Sequence, residues 1–329
     1  AAGRLGEVLR EARPRSRMRL EGSSHSAAVT RATSYFSPVS AFNDMTGGIG
    51  YYHFLEVMAR DFDSRKEELA AKLREVAGRL FTVDNMRISY TADEAGFARL
   101  EQEAGALTGG LPEGDGTVYP FACSLGNRNE GFKTSSQVNY VARCGNFRFR
   151  GTDPASGEAT GYAYTGALRI LKLILSYDYL WLNLRVKGGA YGCMSGFGRS
   201  GEGYFVSYRD PNVEETNQVY EGIVDYLEHF DADDRDMTKY VIGTISALDT
   251  PMTPADQGAR GLSAYLSGVT GEMLQEERDQ ILAARQEDIR ALAPLVRAVL
   301  DTGSLCAIGN DEKIEEKKAM FGQVKNLFR

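Results

Sequence analysis

The stretch LRVKGGAYGC, from Leu184 to Cys193, places Arg185, Lys187, two glycines and Tyr191 in one short connection. A guanidinium and a phenol aimed at one point can donate hydrogen bonds to a carbonyl oxygen as it gains negative charge, which is the chemistry of an oxyanion hole. Small residues between them let a ligand backbone approach closely. A helix-end reading covers part of the same stretch. Arg185 and Lys187 complement the helix dipole, and Gly188 or Gly189 can take the left-handed cap conformation. That reading does not explain why Tyr191 opens the next strand with glycine on either side of the Ala-Tyr pair. Spacing alone leaves both open.

Other signatures fall away on inspection. His53-Phe54-Leu55-Glu56 resembles the start of a zinc motif, but position 57 is valine and the chain has only 3 histidines: His25, His53 and His229. Two histidines one helical turn apart are needed to hold the metal, so His53 reads as a surface histidine on an amphipathic helix. GFGRSG (Gly196, Gly198, Gly201) fits GxGxxG on paper, yet a strand follows where a dinucleotide site requires a helix. It reads as a hairpin turn. The acidic run from Asp231 to Asp236 lacks the loop glycine and distal glutamate of a calcium loop and reads as a solvated helix start. The 4 cysteines (Cys123, Cys144, Cys193, Cys306) are widely spaced without a CxxC pair, the pattern of a reducing compartment. A net charge of -7, with acidic and basic residues intermixed, argues against nucleic acid or an anionic membrane as partner.

The elements around the LRVKGGAYG stretch are legible in outline. SQVNYVARC alternates Val138, Tyr140 and Ala142 and reads as a strand. A long apolar helix is expected from about Gly161 to Val186; Arg169, Lys172 and Asp178 interrupt it, which marks a buried helix and not a membrane span. AYGCMSGF and GYFVSYRD read as two strands joined by the glycine turn near Arg199–Gly201. A helix follows, with Asn212 as expected N-cap, Glu215 completing a capping box, and Val213, Tyr220, Ile223, Leu227 and Phe230 as its apolar stripe. Three more helices, a strand near Leu305–Ile308 and a terminal helix complete the series. Strands grouped before helices indicate an α+β architecture, a largely antiparallel sheet with helices on one face.

With 329 residues the chain is long enough for two domains. It also repeats itself. SYFSPVSAFNDMTGGIGYY (34–52) aligns without gaps to ALDTPMTPADQGARGLSAY (247–265), pairing Pro38 with Pro251 at an offset of 213 (251 − 38). Each copy continues into helices, a short strand (NMRISYT; SLCAIG) and an acidic turn (Asp93-Glu94; Asp311-Glu312). A unit of that period would make residues 107–329 complete and residues 1–106 the last half of another, with the Gly-rich stretch 105–117 between them. The start at Ala-Ala-Gly, without Met, suggests processing or an engineered fragment.

SQVNYVARCGNF, YLWLNLRVKGGAYGCMSGF, GYFVSYRDPN and RATSYFSPVSAFNDMTGGIGYYHFL together resemble the C-terminal half of the presequence protease branch of the insulinase-like (M16) zinc metallopeptidases. The resemblance implies four related α/β units in two halves around a chamber, of which this chain would hold the end of the third and all of the fourth. It implies hydrolysis of unstructured oligopeptides, with the zinc motif in the first unit and thus outside this chain. It assigns Arg185 and Tyr191 to the substrate carbonyl and makes Gly188, Gly189 and Ala190 shape the approach. The expected partners are the zinc-binding N-terminal half and short peptides, with no nucleic acid and no membrane. A non-catalytic subunit that binds peptides or scaffolds a complex is the alternative. A bacterial cytoplasm is the expected location, with an organelle matrix as the other.

Overall fold

The computed structural model describes residues 2–149 and 160–328. Six helices come first: α1 (Ala2–Gly22), α2 (Ser24–Thr33), α3 (Pro38–Gly47), α4 (Ile49–Arg60), α5 (Phe62–Leu80) and α6 (Glu94–Thr108). Strands β1 (Glu130–Thr134) and β2 (Tyr140–Asn146) precede α7 (Ala167–Tyr177), a π-helical segment (Trp181–Lys187), β3 (Gly192–Phe197) and β4 (Glu202–Tyr208). Then come α8 (Glu214–Glu221), α9 (Ile223–Glu228), α10 (Asp234–Leu248), α11 (Pro254–Ser267), α12 (Gly271–Ala283), α13 (Gln286–Arg290) and α14 (Ala293–Asp301). Strand β5 (Ser304–Asn310), α15 (Asp311–Glu316) and β6 (Gln323–Asn326) end the order.

The fold is mixed α/β around one sheet of six strands, ordered β3-β4-β2-β5-β1-β6. The pairings β3·β4, β4·β2 and β2·β5 are antiparallel; β5·β1 and β1·β6 are parallel. The period of two along each strand sends alternate side chains to opposite faces. Val141, Phe205, Leu305 and Ala307 face a core built with α7, α8, α9 and α14. Ala142, Cys144, Val206, Cys306 and Ile308 face a second core with Ala27, Ala28 and Ala32 of α2, together with Tyr35, Ile49 and Tyr52. The helices that follow the strands thus lie on one face, as the order of elements implied. The opposite face is covered by α2, whose alanines allow close approach to the strands.

Three local expectations change. The helix expected over 161–186 stops at Tyr177, where the Asp178 N–H bonds back to Ile174 and its carboxylate accepts from the Tyr240 hydroxyl. The chain then resumes as the π-helical turn. Asn212 does not cap α8, whose N-cap is Val213 without a side-chain bond. The stripe is nonetheless buried, at most 3% exposed at each of its five positions. Among the described residues no strand precedes Glu130. Residues 86–92 take no regular secondary structure, and Ile88 and Tyr90 are exposed.

Two helix starts share the same capping, at a spacing three positions longer than that of the sequence alignment. Ser37 caps α3 by accepting from Ser40 N–H, and Thr253 caps α11 by accepting from Asp256 N–H, each followed by proline. This pairs Ser37 with Thr253 at an offset of 216 (253 − 37), whereas Thr250-Pro251 lies before the helix. Downstream, Asp93 caps α6 and Asn310 caps α15. Ser37 and Asp93 are 56 positions apart (93 − 37), and Thr253 and Asn310 are 57 apart (310 − 253).

Candidate functional site

The π-helical turn and β3 are joined by Gly188–Tyr191, a loop whose residues divide between backbone folding, core packing and exposure. The Gly189 N–H bonds to Arg185 O (3.1 Å) and the Ala190 N–H to Leu184 O (2.9 Å), folding the loop back on the turn that precedes it. Gly189 has φ +81°, a conformation that disfavours a Cβ. A Cβ on Gly188 would stand 2.7 Å from Leu184 O, so the close return requires glycine there as well. Ala190 is buried in the main core at 2% exposure, whereas Tyr191 points outward at 62%. Arg185 stands in the last turn of the π-helical segment, a backbone form frequent at functional sites.

The structure brings Arg185 and Tyr191 together. The Arg185 guanidinium carbon lies 5.1 Å from the Tyr191 ring centroid and 4.5 Å from that of Trp181. One of its N–H groups donates to the Tyr191 carbonyl. Cation–π contact on both sides and this bond hold the guanidinium at the loop. Tyr191 itself is fixed through its backbone, its N–H lying 3.1 Å from Tyr208 O and 3.2 Å from Arg209 O. Its side chain stays accessible.

A second loop, Arg209–Asn212, supports the first, and its contribution is hidden in the sequence. Asn212, expected as a helix cap, donates its side-chain amide to Gly188 O at 2.7 Å. Asp210 is buried and accepts from the Asn212 N–H (2.9 Å) and the Thr216 hydroxyl (2.6 Å). Burial raises its carboxyl above the usual range, against these hydrogen bonds. Asp210 also pairs through its backbone with Asn139, in both directions. The residues after β4 thereby clamp the glycine loop from behind. A DPN tripeptide gives no sign of this from sequence, because its partner lies 24 residues earlier.

Cys193 follows the loop, but burial pushes its thiol up to about 11, partly offset by Arg185. Among the described residues no three His, Cys, Asp or Glu side chains are placed to hold a metal ion. The histidines are dispersed. His53 is half-buried on α4, and its Nε2 lies 3.1 Å from Leu327 O. His229 Nδ1 lies 2.9 Å from Asp225 O, and His25 packs edge-on against Tyr208. Gly198 and Gly201 of GFGRSG form the β3–β4 hairpin turn, with the Gly198 N–H on Glu202 O, while Gly196 lies in β3. Among the described residues no helix is long and apolar enough to cross a membrane.

The sequence defines a C-terminal part of an M16 peptidase of the presequence protease branch. The chain belongs to the family described as the PreP C-terminal domain, whose model matches residues 129–309, more than half of the chain. A second model, for the segment associated with branch C of the M16 peptidases, matches residues 2–58. Protein HypA of Clostridium perfringens is 36% identical over 326 residues, covering 99% of this chain and 32% of that protein. Presequence protease 1 of Arabidopsis thaliana, chloroplastic/mitochondrial, is 30% identical over 327 residues, covering 98% of this chain and 29% of that protein. The chain thus spans about a third of the length of these relatives. Among solved structures, the first half of the periplasmic protease PqqL from Escherichia coli aligns with a TM-score of 0.47 at 12% identity, covering 75% of this chain and 56% of that one.

Proposed function

We propose that this chain is the half of a zinc metalloendopeptidase that holds no metal, and that the polypeptide containing it degrades unstructured oligopeptides. Arg185 and Tyr191 donate hydrogen bonds to the scissile carbonyl as it becomes tetrahedral, while Gly188, Gly189 and Ala190 let the substrate backbone come close. The zinc ion, its ligands and the base that activates water belong to the N-terminal half. The observation that carries this reading is the pairing of an anchored guanidinium with an exposed phenol on one glycine loop. Turnover of a quenched oligopeptide by the full-length polypeptide, with none by this chain alone, is the expected result. A full-length polypeptide that retains peptides without cleaving them would instead favour a binding subunit.

The same reading divides the chain into the end of a third unit (1–106) and a complete fourth (107–329). The two cap pairs, spaced almost equally in each copy, support it. In the second copy the strand before the downstream cap is β5, which sits between β1 and β2. Both of those strands come from the early half of the unit. In the first copy the equivalent 86–92 segment forms no strand and exposes Ile88 and Tyr90, and its strand neighbours would lie in polypeptide N-terminal to residue 1. The backbone amides of 86–92 should therefore exchange with deuterium at least ~100-fold more slowly in the full-length polypeptide than in this chain, because pairing moves them into a cooperative unit. Equal exchange rates in the two would refute the division.

A further inference from the structure

Arg209, the residue after β4, has φ 51°, a backbone conformation that glycine adopts freely and side chains with a Cβ resist. Among the described residues the other non-glycine position of this kind is Asn129, at φ 40°, and asparagine tolerates it. The conformation at 209 is imposed from both sides. Its carbonyl accepts from the Tyr191 N–H at 3.2 Å, and the next residue, Asp210, is locked to Asn139 by backbone bonds of 2.7 and 2.8 Å. Glycine would satisfy every one of these requirements without strain. What an arginine adds is its side chain.

That side chain is exposed. Its guanidinium carbon lies 5.5 Å from the Tyr208 ring centroid and 6.0 Å from that of Tyr191. The Arg185 guanidinium addresses the same Tyr191 ring. Two cations therefore flank one exposed phenol, but only Arg185 has a hydrogen bond to its own loop. Among the described residues no carboxylate pairs with Arg209. Packing against two rings restricts the guanidinium before any ligand arrives, which lowers the entropy cost of binding. A planar guanidinium with free N–H groups matches a carboxylate in a two-bond geometry.

We infer that Arg209 is a specificity-determining residue of this site, binding a carboxylate of the peptide whose carbonyl Arg185 and Tyr191 address. The inference rests on the peptidase reading above. The carboxylate is either the C-terminus of the peptide or an acidic side chain within it. Three short quenched peptides separate these sources: one with a free C-terminus, its C-terminal amide, and that amide with one internal glutamine replaced by glutamate. In the full-length polypeptide, Arg209→Gly should lower the ratio of kcat/KM between a charged peptide and its neutral match by about tenfold, the loss expected for one charge-assisted pair. The pair of peptides showing the loss identifies the source. Tm should stay level or rise, since glycine relieves the strain at φ 51°. Arg209→Gln, which keeps the stacking stem, should give the same ratio. Unaltered ratios in both variants overturn the inference.

A binding measurement separates this inference from the peptidase reading. Fluorescence anisotropy of labelled forms of the same peptides on this 329-residue chain needs no turnover. A carboxylate preference that Arg209→Gly abolishes would uphold the inference even if the full-length polypeptide cleaved nothing. Turnover that depends on Arg185 and Tyr191 without any carboxylate preference would remove the role of Arg209 and leave the peptidase reading standing.

Discussion

Tyr191→Phe and Arg185→Ala should each lower kcat/KM of the full-length polypeptide for a quenched peptide by roughly 10²–10³-fold, the usual cost of losing one oxyanion donor. The two substitutions differ in what else they disturb. Tyr191 is largely exposed, so removal of its hydroxyl leaves packing intact, and the loss should appear in kcat. Arg185 also bonds the Tyr191 carbonyl and stacks on Trp181, so its removal also loosens the loop. Arg185→Lys keeps a charge but cannot reproduce the planar stack, and it should recover only a small part of the activity. The double variant should lose less than the product of the two single losses, because both groups serve one carbonyl and touch each other. Parent-like turnover in both single variants would end the assignment. A loss matched by an equal fall in thermal stability would make the pair structural.

The nearness of a guanidinium and a phenol is readable because both residue types sit six positions apart in one stretch, although its glycines equally serve the backbone return of the loop. What supports them is not readable. Asn212 has the look of a helix cap, as asparagine before an acidic turn usually does. Its amide is instead engaged by Gly188 O, a partner fixed only once β3 and β4 pair. Arg209 carries no local signal at all, since its meaning lies in a backbone angle and two rings from different strands.

The fold follows the same division. Strands β2, β3, β4 and β5 alternate or run apolar, and their sequence marks them. Strand β1 (EGFKT) carries a glutamate, a glycine and a lysine, while β6 has four residues; neither has a pattern long enough to read. The long apolar stretch from 161 indicates a helix correctly but not its break. An acidic residue at 178, whose carboxylate answers a tyrosine 62 positions later, leaves no periodic trace. Helix α2 reads as a weakly apolar alanine-rich segment, and only the open face of the sheet shows what it covers.

The hold of α2 on that face leads to the largest stability effect expected in the chain. Glu130 of β1 is fully buried and accepts from Arg31 of α2 at 2.6 and 3.0 Å, from the Tyr35 hydroxyl at 3.0 Å and from Lys325 of β6 at 2.8 Å. Arg31 also reaches Asp44 of α3 at 2.6 Å, and Asp44 in turn accepts from the Ile49 N–H at the start of α4. Two carboxylates, Glu130 and Asp44, thus tie two helices to two strands through Arg31 and Lys325. Burial would raise its pKa, but the bonds and charge of Arg31, then of Lys325, override this and hold it at about 2. Glu130→Gln should cost about 3–5 kcal/mol at neutral pH, since Arg31 is left buried with half of its partners. The exposed Arg278–Asp249 pair, of similar length at 2.6 Å, should contribute far less because water screens it. The pH dependence has a definite sign. A carboxyl whose folded pKa lies below the unfolded value of 4.5 stabilises above that value, and the contribution is lost as pH falls toward about 2. Urea unfolding of the parent and of Glu130→Gln should therefore differ most near pH 7 and converge through the window from 4.5 to about 2. A gap that persists unchanged at about pH 2 would mean that shape and packing, not the ionised carboxylate, fasten α2 to the sheet.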